Sequence, residues 1–188
     1  MKQFVSSLLL SLVVISGQAL ELDPKNSTLN FVSVKNDAIA EVLTFDELSG
    51  SISAAGEAQI SVPLASVNTG IEIRDERLRK YLFNTEEFAK AVYTAQLDMA
   101  ALSAMEVGQQ KAMTLAGELA LSGKSGKVDF DIVVTKTAEG SYSAVTTAPG
   151  FVDIRKFGLI DGVGKLRSLA GLNSITLVVP VTFSVVFK

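Results

Sequence analysis

The sequence predicts an all-β domain of antiparallel strands, a barrel or a sandwich, with a few short helices. Two observations carry this. Apolar and polar residues alternate over much of the chain, the period of a strand that turns one face inward. Tight turns rich in Gly, Ser and Asn separate these stretches, which read as eight or nine short strands. No period of 20–50 residues repeats, and the length of 188 residues suits one domain after a leader.

The leader comes first. Met1-Lys2-Gln3 is short and positively charged, Phe4 to Ile15 is an apolar run, and Ser16-Gly17-Gln18-Ala19 ends it with small residues. That is the anatomy of a secretory signal peptide cut after Ala19. The apolar run is shorter than the roughly 20 residues of a membrane span. Residues 1–19 are therefore expected to be the signal and 20–188 the barrel domain. The mature protein is expected in the periplasm or the medium.

In the first strand of the domain, Leu29 and Phe31 alternate with Thr28 and Asn30, and Lys35-Asn36-Asp37 is a turn. Ala58, Ile60, Val62 and Leu64 then alternate with Gln59, Ser61 and Pro63. Ile71 to Phe83 breaks the pattern. Leu78 and Leu82 lie four apart and Arg74 precedes Leu78 by four, a helical spacing. Thr85 is placed to cap a short turn through Phe88, with Glu86 and Glu87 in its first turn. Met113, Leu115, Leu119 and Leu121 share one parity with Gly117 between them, and Ser122 to Gly126 forms a hairpin loop.

Val128, Phe130, Ile132 and Val134 answer from the next strand, which puts Phe130 inward. Glu139-Gly140-Ser141 is another turn, and Asp161 to Leu172 reads as a second short helix. Ile175, Leu177, Val179, Val181, Phe183, Val185 and Phe187 close the chain as one apolar stripe. Pro180 within it marks a bulge or an edge, because it cannot donate to a ladder.

Composition narrows function. Seventeen basic residues face 20 acidic ones, for a net charge of −3. That argues against a nucleic-acid binder and against a polybasic membrane-surface protein. The chain has no Cys and no His, and so lacks disulfides, thiol nucleophiles and the commonest general base and metal ligand. No metal and no cofactor is expected. Two carboxylate pairs, Asp75 with Glu76 and Asp153 with Asp161, have no spacing that makes them converge, so no catalytic residue is assigned. After the leader no apolar run is long enough to span a bilayer, so an integral membrane protein is not expected.

Arg74-Asp75-Glu76-Arg77-Leu78-Arg79 is the densest charge cluster. On a helix Asp75 and Arg79 share a face. The segment is either a solvated helix with one weak ion pair or a lid over the barrel end, with Leu82, Phe83 and Phe88 as its apolar mass.

Several segments together resemble the YceI-like family. Leu22-Asp23-Pro24-Lys25-Asn26-Ser27-Thr28-Leu29-Asn30-Phe31 is similar to its first strand, and Leu48-Ser49-Gly50-Ser51-Ile52 to its F-x-G-x-I element. Val67-Asn68-Thr69-Gly70 followed by Arg74-Asp75-Glu76-Arg77-Leu78-Arg79 resembles its T-G…R-D-x-x-L-R stretch, with Phe83 at the apolar position after it. Leu115-Ala116-Gly117-Glu118-Leu119, and Asp153 with Phe157-Gly158, resemble two later elements. Asn26-Ser27 stands where the family often has H-S, and Ala89 follows Phe88 where the family has F-P.

The resemblance implies a single antiparallel eight-stranded lipocalin-like β-barrel with short helices. It implies an exported binder or carrier that holds an amphiphilic isoprenoid lipid, of quinone or polyprenyl type, inside the barrel. The ligand-binding residues expected are Arg74 and Arg79 for a polar head, with Asp75, Leu78, Phe83, Phe88 and Phe130 around them. Two alternatives stand beside this. One is a structural or partner-binding barrel without lipid; the other is a carboxylate-dependent enzyme acting on such a lipid. The alternating stripes suit a filled core and a lined cavity equally. A homodimer is left open. N-terminal sequencing of the exported protein is expected to begin near Leu20; an intact Met1 on a cytosolic species would contradict the leader.

Overall fold

The structure, a computed structural model, describes residues 19–188. The leader, apart from Ala19, lies outside the described residues. Twelve strands form one antiparallel sheet: β1 Leu20–Glu21, β2 Thr28–Lys35, β3 Ile39–Phe45, β4 Ser49–Ile52, β5 Glu57–Pro63, β6 Val67–Asn68, β7 Lys90–Gln96, β8 Gln110–Leu121, β9 Lys124–Ala138, β10 Ser141–Thr146, β11 Gly150–Asp153 and β12 Val178–Phe187. The lateral order is β1-β4-β5-β7-β8-β9-β10-β12-β2-β3-β6, with β11 also on β12. The sheet curls into the lipocalin-like barrel that the family resemblance implies, where the stripes alone leave barrel and sandwich open. The strand count is corrected from eight to twelve. Eight strands have six residues or more, and β1, β4, β6 and β11 add two to four each. Runs that short carry no readable alternation, which is why a period-2 reading passes over them.

Strand β12 meets the most neighbours. Phe183 faces Leu29 of β2 on one edge. On the other edge lie β10, with Ala144 opposite Val185, and β11, with Gly150 opposite Val181. The β2 ladder begins at Val181, just after Pro180, which has no N–H to give. Beyond the ladder, Leu22 bridges Phe187, and Glu21 and Lys188 exchange two backbone hydrogen bonds of 2.9 Å. The N-terminal strand thereby closes the curl against the last one. Two hairpins turn on left-handed pairs, Asn36-Asp37 (φ +51°, +57°) and Ser122-Gly123 (φ +49°, +71°). Such pairs give the type I′ sense that matches strand twist.

Helices close the two ends. At one end, α1 (Glu72–Arg77) runs straight into a π-helical segment, Leu78–Phe83, that stops at left-handed Asn84. Helix α3 (Ile160–Leu169) crosses this segment at Gly162, where a Cβ would lie 2.6 Å from the Tyr81 carbonyl oxygen. Both helices fall where the broken periodicity predicts them. α3 ends before Leu172 because Gly171 (φ +62°) turns left-handed, and the N–H groups of Gly171 and Leu172 bond back to Ser168 and Arg167. The turn through Phe88 hangs on the Asn84 carbonyl, which accepts from Glu87 and Phe88, rather than on a Thr85 cap.

At the other end lies α2 (Met99–Ser103), capped by the Asp98 carboxylate on the Ala101 N–H. Lys136, on the inward parity of β9 after Ile132 and Val134, fixes the chain that follows α2. Its buried ammonium donates to the carbonyls of Ser103 (3.3 Å) and Met105 (3.0 Å) and pairs with Glu139 at 3.0 Å. A charge this far from water persists only when its donors are used.

The seam carries a pH signature. Asp23, 8% exposed, accepts from Lys188 Nζ and Asn26 Nδ2, both at 2.8 Å, and from the Lys25 N–H. These bonds, the Lys188 bond first, lower its pKa from 3.8 to about 2. A carboxylate depressed by folding contributes stability that is complete above its unfolded value and fades as pH falls toward the folded one. Asp23→Asn is expected to lower the urea midpoint at neutral pH, with the gap to wild type closing between about pH 4 and pH 2. A gap that stays constant through that range would remove Asp23 from the seam.

Candidate functional site

Inward residues from successive strands stack in layers about two residues, or roughly 7 Å, apart along the barrel axis. The layers nearest α1 and α3 do not meet at the centre. They leave a cavity of about 160 Å³ onto which no polar atom opens. Its wall comes from Leu29 and Phe31 of β2, Phe45 of β3, Val62 of β5, Leu119 and Leu121 of β8, Val128 and Phe130 of β9, and Val179, Val181 and Phe183 of β12. Leu82 and Phe83 of the π-helical segment form its roof. A second, smaller space of about 50 Å³ lies toward α2, between Ile52, Ala95, Leu102, Leu115, Ile132 and Val185. The interior thus combines a packed core with an apolar space near α1 and α3.

Of the residues expected to touch a ligand, Phe83 and Phe130 are on the cavity wall. Phe83 packs tilted against Phe45 at 5.9 Å (50°), which packs tilted against Phe31 at 5.3 Å (33°). Leu78 is buried under α1, and Phe88 packs beside Gly123 at the β8–β9 turn; neither lines the cavity.

The charged cluster divides. Asp75 is 7% exposed and accepts from the Thr69 N–H at 2.9 Å and the Thr69 hydroxyl at 2.5 Å. It therefore ties α1 to the strand that precedes it and does not pair with Arg79. Arg79 reaches Glu72 at 2.8 Å, away from the cavity. The i,i+4 geometry allows the Asp75–Arg79 pair, but the nearer Thr69 takes the carboxylate.

Arg74 is placed differently. It donates to the Thr69 carbonyl at 2.6 Å and to Glu41 at 2.8 Å, and Lys35 meets the same carboxylate at 2.5 Å. Glu41 faces Ser33 across β2 and β3, one inward step beyond the Phe31–Leu43 pair. Two cations and one anion therefore sit beside the cavity end of β2. The Lys35 ammonium holds the Glu41 carboxyl below its ordinary value, with the charge of Arg74 adding to it against a desolvation cost. Arg74 Nε is buried with no partner.

Two further residues shape the interior: Tyr93, which lies in no readable stripe, and Gly117, which in the sequence is only a gap in one. Tyr93 lines both spaces, and its hydroxyl donates to the carbonyls of Val128 (2.9 Å) and Leu115 (3.1 Å). Burial, then the charge of Asp129, pushes its phenol pKa up, so it remains a neutral donor. The ring lies where a Cβ on Gly117 would stand, 2.3 Å away. The signal was in the sequence: a glycine inside an otherwise apolar strand parity marks a close approach by another group.

A family model for the YceI-like domain matches residues 20–187. The chain belongs to the YceI-like family. It is 37% identical to a solved polyisoprenoid binding domain from Saccharophagus degradans implicated in plant cell wall breakdown. That alignment covers 90% of this chain and 97% of the other, with a TM-score of 0.87. BcnA of Burkholderia cenocepacia shares the fold at 19% identity and a TM-score of 0.66, over 88% of this chain and 98% of its own. No curated protein matches. Among the described residues of this YceI-like chain, no helix is long and apolar enough to cross a membrane.

The two arms of the cluster are separable. Asp75→Ala is expected to cost about 1–3 kcal/mol by urea denaturation, since it strands two Thr69 donors. Arg79→Ala should cost less than about 1 kcal/mol, the range of exposed pairs. Equal losses would mean that Asp75 is not the tie.

Proposed function

We propose that this YceI-like protein is an exported carrier that holds the chain of an amphiphilic isoprenoid lipid, of quinone or polyprenyl type, in the barrel. One observation carries this reading: the cavity is lined by aromatic and aliphatic side chains with no polar atom on its surface. Such a space favours a dry apolar guest over a sugar, nucleotide or metal. Each methylene moved from water into it contributes roughly 0.8 kcal/mol before ordering costs. The likeness to the Saccharophagus polyisoprenoid binding domain supports the same ligand class.

The polar head lies outside the cavity, at the Lys35–Glu41–Arg74 cluster. This cluster carries one excess positive charge and sits one inward step beyond the Phe31 level. Arg74 is the residue that greets the head, because Arg79 is turned to Glu72. Export follows from the signal anatomy of residues 1–19, with the mature protein working in the periplasm or outside the cell.

Native mass spectrometry of the protein purified from its own host is the test. A co-purifying prenyl lipid is the expected result, and a homogeneous ligand-free species would oppose it. Arg74→Ala is expected to weaken retention of an anionic or quinone-headed prenyl lipid about tenfold, the equivalent of 1.4 kcal/mol, at matched folded fraction. Retention equal to wild type would remove Arg74 from the head-group role.

A further inference from the structure

The cavity and the smaller space below it are two parts of one barrel interior. Ile60, Tyr93 and Phe183 line both. What divides them is an aromatic partition across the axis. The Phe130 ring stands edge-on to Tyr93 at 5.4 Å (80°) and to Phe183 at 5.1 Å (71°).

The three rings are held to different degrees. Tyr93 is fixed by its hydroxyl on two backbone carbonyls and by its seat over Gly117. Phe130 is seated over Gly150, where a Cβ would stand 2.4 Å from its ring. Phe183 has a pinned backbone, through the Thr146 hydroxyl, and its ring lies in the apolar core. Unlike Phe130, which lines the upper cavity alone, Phe183 lines both spaces, and unlike Tyr93 it has no hydroxyl to fasten it.

Volume gives the partition a consequence. A cavity of about 150 Å³ holds a guest on the scale of benzene. The upper chamber, at about 160 Å³, therefore takes only the end of a prenyl chain while the partition stands. We propose that the Tyr93–Phe130–Phe183 partition sets the length of prenyl chain that the barrel buries, with Phe183 as the determinant that separates the two chambers. Below that length each added isoprene unit is buried and adds affinity. Beyond it the extra units remain in water outside the cavity and add nothing. Removing the Phe183 ring joins the chambers and moves this limit to longer chains. The inference rests on the isoprenoid reading above.

The test is a series of prenols, dimethylallyl alcohol, geraniol, farnesol, geranylgeraniol and solanesol, titrated against the mature barrel by native mass spectrometry. In wild type, affinity should rise from dimethylallyl alcohol to geraniol and then level off. In Phe183→Ala the levelling should shift to a longer prenol, with that prenol bound at least about tenfold tighter than by wild type, about 1.4 kcal/mol. Phe183→Leu, which keeps an apolar side chain in place, tests the same shift if the alanine variant does not fold. Phe151→Ala, on the exposed face of β11, should leave the profile unchanged. A levelling point identical in wild type and in the folded Phe183 variants overturns the partition and leaves the isoprenoid reading standing. A wild type that binds no prenol of any length overturns both.

Discussion

The structure depends on one requirement, that strand β12 keep both of its backbone edges occupied. An unpaired N–H or C=O buried away from water costs about as much as a lost hydrogen bond, and an exposed edge invites another chain. β12 meets the requirement with β10 and β11 along one edge and β2 along the other, then with the Leu22 bridge beyond the ladder. Its inward residues run from Val179 at the cavity to Phe187 at the far end. The same strand that closes the sheet therefore supplies the wall of both chambers and the ring between them.

Much of this was legible in the sequence. The parity of Val179 to Phe187, of Val128 to Val134 and of Leu115 to Leu121 places the same residues inside as the structure does. The helices that cap the cavity stand out because they interrupt that parity. Strand β7 was not legible, since its inward residues are Ala91, Tyr93 and Ala95, and two alanines give a weak stripe. The partition was hidden with it. So was the end held by Lys136, a cation on an inward parity that reads as the polar end of a strand until the Ser103 and Met105 carbonyls are seen around it.

The charged helix shows where local spacing stops being informative. Spacing on a helix sets which side chains can meet, but the partner is chosen by whatever the rest of the fold brings closer. Thr69, six residues back along the chain, takes Asp75, and Glu41, on a strand far earlier, takes Arg74. The same segment that carries the family likeness thus serves first as a fastening. Its Arg74 is drawn to β3 by Glu41, which lies on an inward parity two residues from Leu43, though neither Arg74 nor Glu41 lines the cavity.

The fastening of Lys136 at the α2 end has a kinetic consequence. A barrel whose far end is covered by α2 and stitched by a buried ammonium is a blind tube, not a channel. For the lipid proposed above, entry and exit would then share one end, and an incoming molecule could not push a resident one out ahead of it. Exchange of such a ligand would be sequential: vacancy would precede reloading, and the dwell time of the first occupant would set the pace at which a second is accepted.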